Sequence, residues 1–129
     1  MVENGAKKMI LLVDDNEIQR VIIETMLADE YTVTTANSGK EAIDFLLKGH
    51  SPHLVLLDIV MPEMDGWETF NRLKAISCIK DVPIAFVTSL DDTTEMDRAF
   101  MMGAADFIAK PVDKDELLDR IKKILEKFK

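Results

Sequence analysis

Three aspartates, a threonine and a lysine stand where short apolar runs of this chain end. Asp14 and Asp15 follow Ile10-Leu11-Leu12-Val13, Asp58 follows Leu54-Val55-Leu56-Leu57, Thr88 follows Ile84-Ala85-Phe86-Val87, and Lys110 follows the mixed run Asp106 to Ala109. Carboxylates held close together repel one another, and at least one would have a raised pKa unless a cation neutralised them. A hard divalent ion meets that need: Mg2+ favours a few carboxylates with retained waters and phosphate oxygens. An arriving phosphoryl group would complete its shell, Lys110 can neutralise a second phosphate oxygen, and the Thr88 hydroxyl can hydrogen-bond a third. An aspartate accepting a phosphoryl group is established covalent chemistry. Asp58 is the best placed acceptor, because it ends the central run between the acidic pair and Thr88.

These residues meet only if the runs are neighbouring strands. The three apolar runs show no alternation, as suits strands buried on both faces. Tyr31 to Thr35 and Asp106 to Ala109 mix polar and apolar residues and read as strands nearer the sheet edges. Between the strands lie helical spacings, first Ile18, Val21, Ile22, Thr25 and Met26, and last Leu117, Ile121, Ile124, Leu125 and Phe128. Ser38 with Glu41, Asp65 with Glu68, Asp92 with Glu95 and Asp113 with Glu116 resemble capping boxes, the aspartate cases loosely. Strands and helices alternate without a Ser/Gly linker, so the expected class is α/β, a doubly wound five-stranded parallel sheet with right-handed crossovers and helices on both faces. With strands 2 and 5 at the edges the order is 2-1-3-4-5, matched here to the known flavodoxin-like pattern rather than deduced. Sites in such sheets form beyond the carboxyl ends of strands, near the reversal of strand order. Strand 2 ends in Thr35-Ala36-Asn37 and offers no ionisable group, whereas the other four ends supply all five reactive residues.

With 129 residues, the chain suits one domain, expected over residues 9–129 after a tail at 1–8. Its 47% hydrophobic and 31% charged residues place it among soluble globular proteins. Sixteen Lys and Arg against twenty-four Asp and Glu give a net charge of -8, which repels a phosphate backbone and argues against direct nucleic-acid binding. The single Cys78 can form no internal disulfide, and Met9 to Val13 after Lys7 and Lys8 is too short for a signal peptide or membrane span. A cytoplasmic protein with no membrane partner is expected.

At this point the sequence resembles the receiver domains of response regulators, from about Met9 to Phe128. Asp14-Asp15, Asp58 followed by Met61-Pro62 and Met64-Asp65-Gly66, Thr88-Ser89 and Lys110-Pro111 are similar to that family's motifs in order and spacing. The resemblance implies that Asp15, Asp58 and the Val60 carbonyl ligate Mg2+, that Asp14 acts largely through a bound water, and that Asp58 is phosphorylated. It places Thr88 and Phe107 as switch residues, and a cis peptide at Lys110-Pro111, which proline makes accessible. It further implies a sensor histidine kinase or phosphotransfer domain as donor and a downstream protein effector. The signalling surface would be helix 4, strand 5 and helix 5, on a monomer or a phosphorylation-dependent dimer. Such a chain is a phosphoacceptor regulatory domain that catalyses its own phosphotransfer and slow self-dephosphorylation. Val60 and Leu90, two residues after Asp58 and Thr88, fall where the family flanks the path of the attacking water. Both are apolar, so a long-lived phosphoryl group is expected.

Plainer readings compete at single positions. Asp14-Asp15 alone is more often a helix cap than a metal site, and only convergence with Asp58 and Lys110 reverses that. His50 and His53 read as loop residues, Cys78 as a partly buried small residue, and Met96, Phe100 and Met101 mostly as core. A Mg-dependent phosphatase with an aspartyl nucleophile would need a second acid two residues on, which Asp58-Ile59-Val60 lacks. A flavodoxin-like cofactor binder would need a phosphate-receiving loop where Asp14-Asp15-Asn16-Glu17 repels one. A receiver cut from a larger multidomain regulator stays open.

Overall fold

Apolar residues on both sides of a strand require cover on both sides, and the computed structural model, which describes residues 7–90 and 92–128, supplies it. Five parallel strands, β1 (Met9–Val13), β2 (Thr32–Ala36), β3 (Leu54–Leu57), β4 (Ile84–Thr88) and β5 (Asp106–Ala109), lie in the order β2-β1-β3-β4-β5. The expected 2-1-3-4-5 order therefore holds. Along β1, Leu11 and Val13 join one core layer while Ile10 and Leu12 join the other. Alternate side chains leave opposite faces, so a strand buried on both reads as an unbroken apolar run.

Helices α1 (Glu17–Leu27) and α5 (Lys114–Lys127) cover one face through Ile23, Leu27, Leu117 and Ile121. Helices α2 (Gly39–Leu47), α3 (Gly66–Lys74) and α4 (Thr93–Met102) supply Leu46, Phe70, Leu73 and Ala99 to the other. Fully burying a side chain such as Phe70 or Leu46 stabilises by roughly 1.5–3 kcal/mol. All four expected caps form: Ser38, Asp65, Asp92 and Asp113 accept from the amides of Glu41, Glu68, Glu95 and Glu116 at 2.8–3.0 Å. Among the described residues only Glu41 reaches back, to the Asn37 amide at 2.6 Å. Glu68 and Glu116 pair instead with Arg72 and Arg120 one turn on.

Several expectations are corrected. Strand β2 starts at Thr32, because the Tyr31 amide closes the turn after α1 by donating to the Leu27 carbonyl at 2.9 Å. Of the stripe expected to bury α1, Ile18, Val21 and Ile22 are exposed. The Arg20 guanidinium donates to the Asp14 carbonyl at 2.7 Å, and the inward face therefore runs through Arg20, Ile23 and Leu27. Met96, Phe100 and Met101 are exposed rather than core, since α4 turns Ala99 inward. Cys78 and Phe128 are likewise exposed. Of the expected 1–8 tail, residues 1–6 lie outside the described residues, while Lys7 donates to the Ala28 carbonyl at 3.1 Å.

Candidate functional site

The sheet's hydrogen bonding runs one residue past the strands that carry the site. The Asp14 amide donates to the Ala36 carbonyl at 3.1 Å, that of Asp58 to Val13 at 2.9 Å, and that of Lys110 to Thr88 at 2.8 Å. Each functional residue thus leaves the sheet from a fixed backbone position. Asp14, Asp58 and Thr88 are buried, at 1%, 7% and 0% exposure, while Asp15 is exposed.

Lys110 joins the strand ends. Its Nζ lies 2.7 Å from Asp14 Oδ2 and 3.2 Å from Asp58 Oδ2. The second Asp14 oxygen accepts from the Asn16 amide at 2.9 Å. Asp58 Oδ1 accepts weakly from the Val60 amide at 3.4 Å, and the Thr88 hydroxyl oxygen accepts from the Leu90 amide at 3.3 Å. Burial holds the Asp58 carboxyl above its ordinary pKa; Lys110 opposes that shift, and the Asp14 charge adds to it. Burial alone would lower the Lys110 ammonium, but its hydrogen bond and attraction to Asp14 and Asp58 overcome this and raise it. The site is thus a cation clamped between two buried acids.

Carboxylate oxygens of Asp14, Asp15 and Asp58 lie within 4.8 Å of one another. Hard oxygen donors at that spacing, beside an open cleft of about 550 Å3, fit a small hard divalent ion such as Mg2+. The cleft is lined by Asp15, Asn16, Gln19, Val60, Ser89 and Pro111 together with Asp58 and Lys110. The structure therefore brings Asp14, Asp15, Asp58, Val60 and Lys110 together. Leu90 stands apart from Val60: it packs partly buried against the core, while Ser89 takes the place at the cleft. Phe107 lies inward, 3% exposed, in the core layer of Phe86 and Ala99. The Lys110-Pro111 peptide is cis.

Sequence reasoning missed Asn16, which caps α1 by accepting from the Gln19 amide at 3.0 Å and so leaves Asp15 to the cleft and Asp14 to Lys110. Asparagine caps a helix as well as aspartate does, so its position before the helical spacing was the available signal. Arg20 carried none, and Ser89 only its place in the Thr88-Ser89 motif. The histidines are structural: His53 Nδ1 accepts from the Met9 amide at 3.0 Å, and His50 stacks on Phe45 with centroids 4.3 Å apart.

This chain belongs to the response regulator receiver domain family, whose model matches residues 10–122. It is thereby a phosphorylation-dependent signalling switch, of a class that works with histidine kinases or phosphotransfer proteins. The two-component response regulator ORR3 of Oryza sativa subsp. japonica is 34% identical over 116 residues, 87% of this chain and 88% of that protein. The chemotaxis protein CheY4 of Vibrio cholerae matches with a TM-score of 0.85 at 28% identity, over 92% of this chain and 99% of that one. The signal receiver domain of a signal transduction histidine kinase from Syntrophus aciditrophicus matches with a TM-score of 0.83 at 32% identity, over 95% and 92%. Among the described residues, no helix is long and apolar enough to cross a membrane.

Proposed function

We propose that Asp58 is the phosphoacceptor of this switch and that the donor is the phosphohistidine of a sensor kinase or phosphotransfer domain. The observation that carries the reading is Lys110, held between Asp14 and Asp58 beside a cleft that admits solvent. An Asp58 carboxylate oxygen attacks phosphorus; the bond from phosphorus to imidazole nitrogen breaks, and its electron pair stays on the imidazole, which takes up a proton. The product is an acyl phosphate. Asp14, Asp15, Asp58 and the Val60 carbonyl would hold Mg2+. When bound, that ion neutralises the carboxylates and the phosphoryl oxygens as a Lewis acid. Lys110 exchanges part of its contact with Asp58 for a phosphoryl oxygen, and the Thr88 hydroxyl, which donates to Asp58 in the free site, donates to another. The chain supplies this machinery itself, so it catalyses its own phosphorylation and slow dephosphorylation.

Phe107 is already inward, which makes the switch a shift in an existing balance rather than the creation of a new pose. Movement of Thr88 biases that balance, and the surface of α4, β5 and α5 carries it to a protein effector. The working unit is the domain over residues 9–129, cytoplasmic, as a monomer or phosphorylation-dependent dimer. Phosphoramidate, whose phosphorus–nitrogen bond mimics phosphohistidine, tests the reading. Phosphorus NMR should show an acyl phosphate with Mg2+ and none with EDTA. A phosphohistidine or phosphoester signal on protein freed of the reagent would instead remove Asp58 as acceptor.

A further inference from the structure

The acceptor's backbone is gripped from two sides. On one side the Asp58 amide donates to Val13 on β1, and on the other the Gly66 amide, first residue of α3, donates to the Ile59 carbonyl at 2.7 Å. Gly66 is buried, and its φ lies outside the left-handed region, so conformational freedom is not why glycine stands there. Space is the reason. A Cβ on residue 66 would lie 2.5 Å from Ile59 Cα, 3.0 Å from the Asp58 carbonyl carbon, and closer still to the Asp58 carbonyl oxygen. All three atoms are backbone, so no change of rotamer relieves the clash. Relief needs a shift of about 1 Å, given ordinary carbon contacts near 3.5–4 Å.

Asp14 and Lys110 sit on other elements, so a shift of the Asp58-Ile59 peptide changes the distances within the acidic cluster rather than moving the cluster as a body. We propose that Gly66 is a positioning residue for phosphorylation: having no side chain, it lets the first turn of α3 clamp the Asp58-Ile59 peptide and so fixes the Asp58 carboxylate against Asp14, Asp15 and Lys110. No other described glycine does this. A Cβ at Gly49 or Gly103 would meet nothing within 4 Å, and the atoms nearest to one at Gly39 belong to the side chains of Thr69 and Met64, not to the acceptor's backbone.

This inference rests on the reading of Asp58 as acceptor, and the test separates the two. Gly66→Ala, Gly49→Ala, Asp58→Ala and the parent are compared for unfolding in metal-free buffer, for Mg2+ affinity by calorimetry, and for phosphorylation rate with acetyl phosphate. Gly66→Ala should lose phosphorylation rate by about 10–100-fold per folded molecule, the usual penalty for a misplacement near 1 Å. Its Mg2+ dissociation constant should rise about tenfold by the same geometric argument. Gly49→Ala should be destabilised, because a side chain is strained at φ 98°, yet stay within about threefold of the parent in both site measurements, because its Cβ would meet nothing within 4 Å. Parental rate and Mg2+ affinity in Gly66→Ala, or equal losses in Gly49→Ala, would overturn the inference. A parent whose adduct survives in Asp58→Ala would instead overturn the acceptor assignment.

Should Gly66→Ala fail to fold, the exposed cap Asp65 decides the matter. Asp65→Ala loosens the first turn of α3 and should raise the Mg2+ dissociation constant about threefold, whereas Asp65→Asn, which keeps the cap, restores it. The equivalent Ser38→Ala on α2 should leave Mg2+ affinity unchanged. Equal Mg2+ binding in Asp65→Ala and Ser38→Ala would count against the clamp.

Discussion

The carboxyl end of the sheet and the outer face of α4 are held in opposite ways. At the sheet end Asp14, Asp58 and Lys110 each carry a backbone bond to a neighbouring strand, and their side chains bind one another in a buried cluster. Helix α4 fully buries only Ala99, ends at Gly103 with φ 100°, and shows Phe100 and Met101 to solvent at 47% and 88% exposure. Beyond Ala99, the helix packs partly buried Met102 against the core and sets the Arg98 guanidinium 4.2 Å from the Trp67 ring centroid. Phosphoryl transfer depends on fixed distances, whereas a surface that reports a state must move at low energy. The division of labour proposed above follows that difference in attachment.

Removing the cation should separate the two regions most sharply. Lys110→Met leaves two buried acids facing each other, and in EDTA at about pH 7 it should lose about 3 kcal/mol of stability, partly restored by Mg2+. Urea denaturation with and without Mg2+ measures this; parental stability in EDTA would mean that the sheet end is no better held than α4.

A second variant sharpens the chemistry of the rigid end. Val60→Asn with Leu90→Glu should shorten the phosphoryl lifetime by about tenfold through better placement of the attacking water. Val60→Asn alone should carry most of the change, because Val60 lines the cleft and Leu90 packs on the core. Loss of phosphate faster in the parent than in the double variant contradicts this.

Smaller in size is the response of Asp58 itself. Its folded pKa is raised, so the folded state binds the proton more tightly than the unfolded chain, and stability falls as pH climbs from the ordinary carboxylate value through the raised one. Asp58→Asn should therefore be more stable than the parent in EDTA at about pH 7, by about 1 kcal/mol, the scale for relieving an incompletely compensated buried charge. The advantage should vanish below that pH window. Thermal melts of both proteins across it give the comparison, and a constant difference at all pH values would sever it from Asp58 ionisation.

On α4 the expected stability effect is smallest. Met101→Gln should change stability by less than about 0.5 kcal/mol, as usual for an exposed site. A larger loss in a melt would show that α4 is anchored more firmly than its burial implies.

The sheet and the gathering of the acids with Lys110 were legible in the sequence, because a parallel strand buried on both faces announces itself as an apolar run whose end is visible. Leu54 to Leu57 followed by Asp58 is the plainest case. Helix faces were not. The stripe of Ile18, Val21 and Ile22 is apolar yet exposed, and the choice of face was made by Arg20 binding a carbonyl of the preceding loop. Met96, Phe100 and Met101 misled in the same way, because spacing defines a stripe without saying which side meets the sheet. The space filled by the absent Cβ of Gly66 had no local signature either, since its neighbours lie seven and eight residues earlier across a loop.

The central claim is most directly tested by the intact mass of the parent and of Asp58→Ala after acetyl phosphate, with and without Mg2+. A single Mg2+-dependent, base-labile phosphoryl adduct on the parent, absent from the variant, is the predicted result; an adduct that persists in Asp58→Ala would contradict it.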